Sequence, residues 1–326
     1  MTIGPTPIED LQDPRVGLYR GLPDAALRRR IEAEHGIFVV EGARSLRTLL
    51  ESPFPLVSIL LLPQRLDGLA DVVAAAHERR APVFVAGRRV FDGIAGFPAH
   101  RGVLALARRL PPPDPMTVLA QVTTAVVVEG VNDHENLGAI FRNAAALGAG
   151  AVLLDPSSCD PLYRRSVRVS MAHVLRVPFT RLAPWPDALA ELGAAGFTVV
   201  ALDPGAADTI DALAQGPGTA RPPEGLPRSA MWETPGRPPE AAEPAEPAQP
   251  AELTEHPHPW EPGAQAAPPK PIRLAVLVGG EGTGLTEGAR RAASHRVRIP
   301  MAAGVDSLNV ATALAIALHR LIAVPW

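Results

Sequence analysis

The sequence predicts an α/β protein whose larger C-terminal part carries a parallel sheet covered on both faces, preceded by a smaller α/β unit. Three observations predict this. Short apolar runs of strand-forming residues alternate with helical stretches along the chain, the pattern of a sheet buried between helices. The alternation pauses at Pro111–Pro113 and Pro115 and restarts at Val122 with stronger apolar strands. A stretch rich in Pro, Ala and Glu, residues 216–271, interrupts the second run and has no apolar periodicity.

The first unit spans 15–109. Asp24–His35 reads as a short charged helix, Gly36–Val40 as a strand, and the residues from Glu41-Gly42 to Glu51 as a turn and a helix. Leu56–Leu62 is an apolar strand, Leu69–Arg79 a helix, and Pro82–Val85 and Arg101–Arg108 are further strands. The prolines that follow form a stiff linker. The second unit spans 110–326. Ala125–Val128 is a strand, followed by a polar loop and a helix from Leu137 to Leu147 that Gly148 ends. Ala151–Leu154 is a strand, Asp187–Ala195 a helix stopped by Gly196, and Phe197–Leu202 a strand. Segment 216–271 buries too little apolar surface to offset its ordering entropy and reads as a disordered or polyproline-like insertion. His256 and His258 within it are solvated linker residues rather than metal ligands. Ile272–Val278 is a buried strand and Ser307–Ile322 a long closing helix.

Composition narrows the function. No apolar run approaches the roughly 18 residues of a membrane span. The N-terminal MTIGPTPIEDLQDP lacks the charged and apolar regions of a signal peptide. Cys159 is the single cysteine, which excludes an intramolecular disulfide and a cysteine-based zinc site. A reducing cytoplasm is expected, and no metal. The net charge of −3 is unevenly spread: residues 15–109 hold 15 Arg against 9 acidic residues, whereas 216–271 hold 4 basic and 8 acidic ones. The basic first unit suits a phosphate backbone. An Arg-rich solvated surface gives the same count, Lys270 being the only lysine in the chain.

Three constellations carry chemistry. In VEGVNDHENLGAIFRNAAALGA, residues 128–149, Asn136 sits where a helix N-cap belongs, and Arg142 follows about one and a half turns later. Gly138 and Ala139, one turn before Arg142, leave room over the helix face for a substrate. A routine cap and an exposed helical arginine would look the same. In LVGGEGTGLT, residues 277–286, a buried strand ends in four glycines around Glu281, a loop that permits positive φ and close backbone approach to a ligand. Gly280, Gly282 and Gly284 give GxGxG rather than the GxGxxG of dinucleotide-binding enzymes, and no Lys-Ser/Thr follows as in a phosphate loop. In IPMAAGVDSLNVATALAIALHRL, residues 299–321, Asp306 or Ser307 caps the last helix and Asn309 lies in its first turn. An apolar stripe of Leu308, Ala311, Leu314, Ala315, Leu318 and Leu321 follows.

In this order these segments resemble the SpoU–TrmH family of the SPOUT RNA methyltransferases. Asn136 to Arg142 looks like the first family motif, Gly279–Leu285 the second, and Ile299–Ala311 the third. Residues 36–108, opening FVVEG and closing HRGVLALA, resemble the family's substrate-binding domain, akin to RNA-binding ribosomal proteins. The chain departs from the pattern at His134, where a Pro is common, and at Ala172, where a Gly is frequent. The resemblance implies a trefoil-knotted catalytic domain, an exception to unknotted topology, and a homodimer formed through it. It implies S-adenosyl-L-methionine held by Val278, Gly279, Gly280, Glu281, Gly282, Gly284, Leu285, Ile299, Met301, Ser307, Leu308 and Asn309. It implies Asn136, Arg142, Ser307 and Asn309 as catalytic residues, and methyl transfer to a ribose 2′-hydroxyl of RNA, ribosomal RNA before tRNA. A non-catalytic RNA-binding or ribosome-assembly factor on the same scaffold, and a nucleotide-dependent oxidoreductase, remain alternatives. Replacing 217–270 by a short Gly-Ser linker is expected to leave a soluble, cooperatively melting protein. A collapsed product in thermal denaturation would show that the segment packs on the domain.

Overall fold

Every residue of the IFVVE run at 37–41 is buried, and so is every residue of TAVVVE at 124–129. These two runs are strands of the two sheets around which the chain is built. The computed structural model describes residues 4–98, 101–215 and 273–322. The first sheet comes from β1 (Thr6–Ile8), α1 (Ala25–His35), β2 (Ile37–Glu41), α2 (Ala43–Leu50), β3 (Leu56–Leu61), α3 (Ala70–Glu78), β4 (Val83–Ala86), α4 (Arg88–Ala95) and β5 (Val103–Arg108). Its strand order is β1-β4-β3-β5-β2. β1, β4 and β3 run parallel, and β5 runs antiparallel to both β3 and β2. Two elements differ from the sequence reading. Thr6–Ile8 precede the expected start at 15 yet pair with β4 and bury Ile8. α4 was not expected at all, because its eight residues include Gly93; Phe91, Ile94 and Ala95 nevertheless give it a buried face.

The second sheet comes from α5 (Pro115–Ala120), β6 (Thr124–Glu129), α6 (His134–Ala146), β7 (Ala151–Leu154), α7 (Arg164–Val169), β8 (Phe179–Arg181), α8 (Leu189–Ala194), β9 (Phe197–Leu202), β10 (Asp208–Thr209), α9 (Ile210–Gln215), β11 (Arg273–Gly279), α10 (Glu287–Ala292), β12 (His295–Arg298) and α11 (Val310–Leu321). All its pairings are parallel, in the order β10-β12-β9-β11-β6-β7-β8. β11 lies between β6 and β9, so the carboxyl ends of three central strands, Glu129, Leu202 and Gly279, open on one edge. Ligands in open parallel sheets bind beyond such ends. The expected insertion at 216–271 lies outside the described residues.

Four local expectations are corrected. α6 starts at His134, and its N-cap is Asp133, whose carboxylate accepts from the backbone N–H of Glu135 and Asn136 at 2.6 and 2.9 Å. Asn136 therefore sits inside the first turn with its side chain free for other work. α11 starts at Val310 and is capped by Asn309, not by Asp306 or Ser307. Gly138 does not clear space for a substrate: a Cβ there would lie 2.8 Å from the Ser166 carbonyl oxygen and 2.9 Å from Val169 Cβ. It lets α6 and α7 touch. Pro115, read as linker, is the first residue of α5, where its missing N–H costs nothing.

The two sheets share one apolar cluster. Phe38, Val40 and Leu46 from the first belong to it with Val126, Leu137, Phe141 and Val167 from the second. A polar chain crosses the same junction. Buried Arg28 donates to Glu32 at 2.8 Å and to the Leu18 carbonyl at 2.6 Å. Arg109 donates to Glu32 at 3.1 Å, to Asp160 at 2.6 Å and to the Ile37 carbonyl at 2.9 Å. Glu32→Ala is expected to lower the unfolding free energy by about 3–5 kcal/mol, since it strands a buried guanidinium. Arg47→Ala, which opens the exposed 3.0 Å pair with Asp71, should cost far less. Urea denaturation of the two variants checks this; equal losses would show that the buried chain does not hold the junction.

Candidate active site

β11 delivers the chain into the glycine loop at Gly279. The Gly280 N–H donates to the Glu129 carbonyl at 2.7 Å, and the Gly284 N–H donates back to the Gly280 carbonyl at 3.0 Å. A Cβ on Gly280 would lie 2.1 Å from the Gly130 carbonyl oxygen, and one on Gly279 would lie 2.4 Å from the backbone of Gly284. These two glycines are required because backbone packs on backbone. Gly282 and Gly284 are required for another reason, since their φ values of +85° and +62° are left-handed.

Beneath the loop lies Glu129, at the end of an otherwise apolar buried strand. Its carboxylate accepts from Trp185 Nε1 at 2.6 Å, from Thr286 Oγ1 at 2.7 Å and from the Thr286 N–H at 2.8 Å. Three donors offset the cost of burying the carboxylate. The bonds tie the exit of the glycine loop to the end of β6. Sequence reading missed Glu129; the available signal was an acid terminating a fully buried strand.

Asn309 joins three segments. Its Oδ1 caps α11, accepting from the N–H groups of Ala311 and Thr312 at 3.0 and 3.2 Å. Its Nδ2 donates to Asn136 Oδ1 at 2.7 Å and to Glu281 Oε1 at 2.9 Å. A second tie runs from Asn143 Nδ2 to the Ala311 carbonyl at 2.7 Å. The three motifs read from sequence thus meet at one point.

A cavity of about 940 Å³ opens beside that point. Val278, Gly279, Gly280, Glu281, Gly282, Gly284, Leu285, Ile299, Met301, Ser307, Leu308 and Asn309 all line it, the complete set expected for the cofactor. Asp203, Arg290 and Arg296 line it as well and were not foreseen. Asp203 pairs with Arg296 at 2.8 Å and Arg290 at 3.5 Å. Burial opposes its charge, but the Gly205 N–H and the two guanidiniums outweigh burial and hold the carboxyl below its usual range. Two expected residues lie outside the lining. Asn136 reaches it only through Asn309. Arg142 is exposed and makes no hydrogen bond or ion pair with any described residue. Among the described residues no group of three or more His, Cys, Asp or Glu side chains could hold a metal ion, and no helix is long and apolar enough to cross a membrane.

Known proteins resemble this chain in sequence and in fold. The SpoU rRNA Methylase family matches residues 123–220 and 251–319, and the RNA 2'-O ribose methyltransferase substrate binding family matches 39–113. An uncharacterized tRNA/rRNA methyltransferase of Mycobacterium bovis is 37% identical over 313 residues, 95% of this chain and 89% of that protein. The 23S rRNA (guanosine-2'-O-)-methyltransferase RlmB of Photobacterium profundum is 25% identical over 289 residues, 86% of this chain and 96% of that one. The AdoMet-bound rRNA methyltransferase of Sinorhizobium meliloti superposes with a TM-score of 0.69 at 21% identity, covering 97% of each chain. The chain belongs to the SpoU rRNA methylase family of RNA methyltransferases.

Proposed function

We propose that the protein transfers a methyl group from S-adenosyl-L-methionine to a ribose 2′-hydroxyl of RNA, with ribosomal RNA as the substrate. The observation that carries the reading is the Asn309 amide, which gathers Asn136 and Glu281 at the mouth of the glycine-walled cavity. The residues present fit the cofactor. The cavity volume suits a nucleoside-sized ligand. Its wall combines apolar Leu285, Ile299, Met301 and Leu308 with exposed backbone of the glycine loop, able to meet an adenine face and ribose hydroxyls. When bound, the cofactor supplies a methyl group already activated on a sulfonium.

The chain's own residues supply position and charge. Asn136, fixed by Asn309, orients the ribose, and Ser307 at the cavity wall positions the RNA beside it. Arg142 orients the neighbouring phosphate and stabilises negative charge developing on the 2′-oxygen. A guanidinium remains protonated under nearly all conditions, so the charge role suits it better than that of a base. The family description of the 39–113 match and the names of the relatives support ribose methylation of ribosomal RNA.

The same reading takes the catalytic part as trefoil-knotted and the chain as a homodimer through it. Supporting the knot, α11, the last helix, packs on both α6 and β11, while β11 is inserted between β6 and β9. Supporting the dimer, Val305 and Leu308 expose apolar surface beside the cavity, and Arg142 is exposed with no hydrogen bond or ion pair to any described residue.

Two measurements test the assignment. Calorimetry on the full chain should show S-adenosylmethionine binding, and Gly280→Ala, whose methyl would collide with the Gly130 carbonyl, should weaken it at least tenfold, about 1.4 kcal/mol. Unchanged affinity would remove the cofactor from this cavity. Arg142→Ala should leave fold and cofactor binding intact but cost about 3–4 kcal/mol of transition-state stabilisation in single-turnover methylation. Arg142→Lys should recover part of the rate, with pH-independent recovery marking charge stabilisation and recovery that grows with pH marking a base. Wild-type turnover in Arg142→Ala would remove this residue from the reacting centre.

A further inference from the structure

A second cavity, of about 430 Å³, opens where α1 meets α7 and the first turn of α6. Arg29 of α1 and Arg164, Arg165 and Arg168 of α7 line it, together with the rings of His134 and Tyr163. Those rings lie 4.2 Å apart between centroids and are tilted by 44°. The surrounding carboxylates are already engaged. Glu41 faces Arg164 at 3.6 Å and Glu135 holds Arg165 at 2.7 Å. Asp160 is held by Arg109 at 2.6 Å, and Asp133 and Asp24 cap α6 and α1. Arg29 and Arg168 are exposed, and neither makes a hydrogen bond or ion pair with any described residue. The cleft therefore presents two uncompensated guanidiniums beside a ring pair.

That chemistry fits a nucleotide. Guanidinium forks match phosphate oxygens, and a base stacks on an aromatic face whatever its identity. An acidic peptide would use the guanidiniums but gain nothing from the rings. Burial, the largest influence on His134, holds its imidazole below the usual range, which keeps that ring neutral for stacking at pH 7. The cleft is also placed along the expected path of the substrate. His134 stands two residues before Asn136 and eight before Arg142 on one helix, about 12 Å along its axis from the latter. None of the lining residues of α1, α6 or α7 falls within 39–113, the span that matches the substrate-binding family.

We infer that this cleft binds a nucleotide of single-stranded RNA flanking the methylated position, its phosphate on Arg29 and Arg168 and its base on the His134–Tyr163 pair. The inference rests on the RNA methyltransferase reading for the identity of the strand. It is tested on the full chain with a fluorescein-labelled single-stranded RNA 12-mer of mixed sequence, followed by anisotropy over a series of salt concentrations. Arg29→Ala/Arg168→Ala should flatten the dependence of log affinity on log salt by about 0.7, the contribution of one single-strand phosphate contact. Tyr163→Leu should weaken binding about tenfold, within the range of one lost stack, while Tyr163→Phe binds as wild type. An unchanged salt slope in the arginine variant overturns the proposal, even if Tyr163→Leu fails to fold. So does displacement of the 12-mer by poly-glutamate as readily as by unlabelled RNA. Cofactor binding, measured by calorimetry on the same preparations, separates the two readings. Wild type that binds the cofactor, with a variant of unchanged slope, removes the cleft alone. Wild type that shows the slope difference but binds no cofactor keeps the cleft and removes the methyl-transfer reading.

Discussion

The side chain of Asn309 makes four hydrogen bonds, and the arrangement of the site depends on them. Its carbonyl oxygen is occupied by the start of α11, so its amide nitrogen is left to face the other way, toward Asn136 and Glu281. No other side chain of similar size offers two acceptor directions and two donors in one plane. An aspartate would cap the helix equally well but would set a carboxylate against Glu281. A serine would cap it and reach neither partner. The helix start, the glycine loop and the first turn of α6 therefore share a single fixed point, although they come from segments as much as 173 residues apart.

That fixed point works because the sheet has already brought the segments close. With β11 inserted between β6 and β9, the glycine loop must leave the sheet directly beside the end of β6, and the Gly280–Gly130 approach is a consequence of that pairing. Glu129 holds the far end of the loop through Thr286, so the loop is held at both ends of its glycine run. The cavity is then a product of strand order. The glycine loop lines it, together with residues of β9, α10, β12 and the third motif.

The legibility of these features follows their physical range. Strands buried on both faces write themselves as continuous apolar runs, and Ala151–Leu154 and Phe197–Leu202 have the bounds read from sequence. Helix starts were less legible where several residues could cap. Asp133 and Asn136 are both good caps three residues apart, and Asp306, Ser307 and Asn309 compete in the same way. The choice is settled by tertiary partners: Asn136 is drawn to Asn309, so Asp133 takes the cap. Edge elements such as Thr6–Ile8 and β8 are too short to show periodicity. Within the cavity, glycines and apolar residues of the motifs were visible, whereas Asp203, Arg290 and Arg296 were not, because an ion pair between segments more than 80 residues apart leaves no local pattern.

Charge shows the same limit from another side. The excess of arginine over acid in residues 15–109 pointed to a phosphate-binding surface, but several of those arginines are spent within the fold. Arg28 is buried on Glu32, Arg109 bridges Glu32 and Asp160, and Arg15 and Arg47 pair with Asp13 and Asp71. A paired guanidinium contributes little to the outward field, and an exposed pair adds little stability. What attracts a strand of RNA is the remainder left after such pairing, weighted by the shape of the surface that carries it. In this chain one such remainder lies in the cleft between α1 and α7. It is built half from the Arg-rich first unit and half from the second, which is why counting charge by unit could not find it.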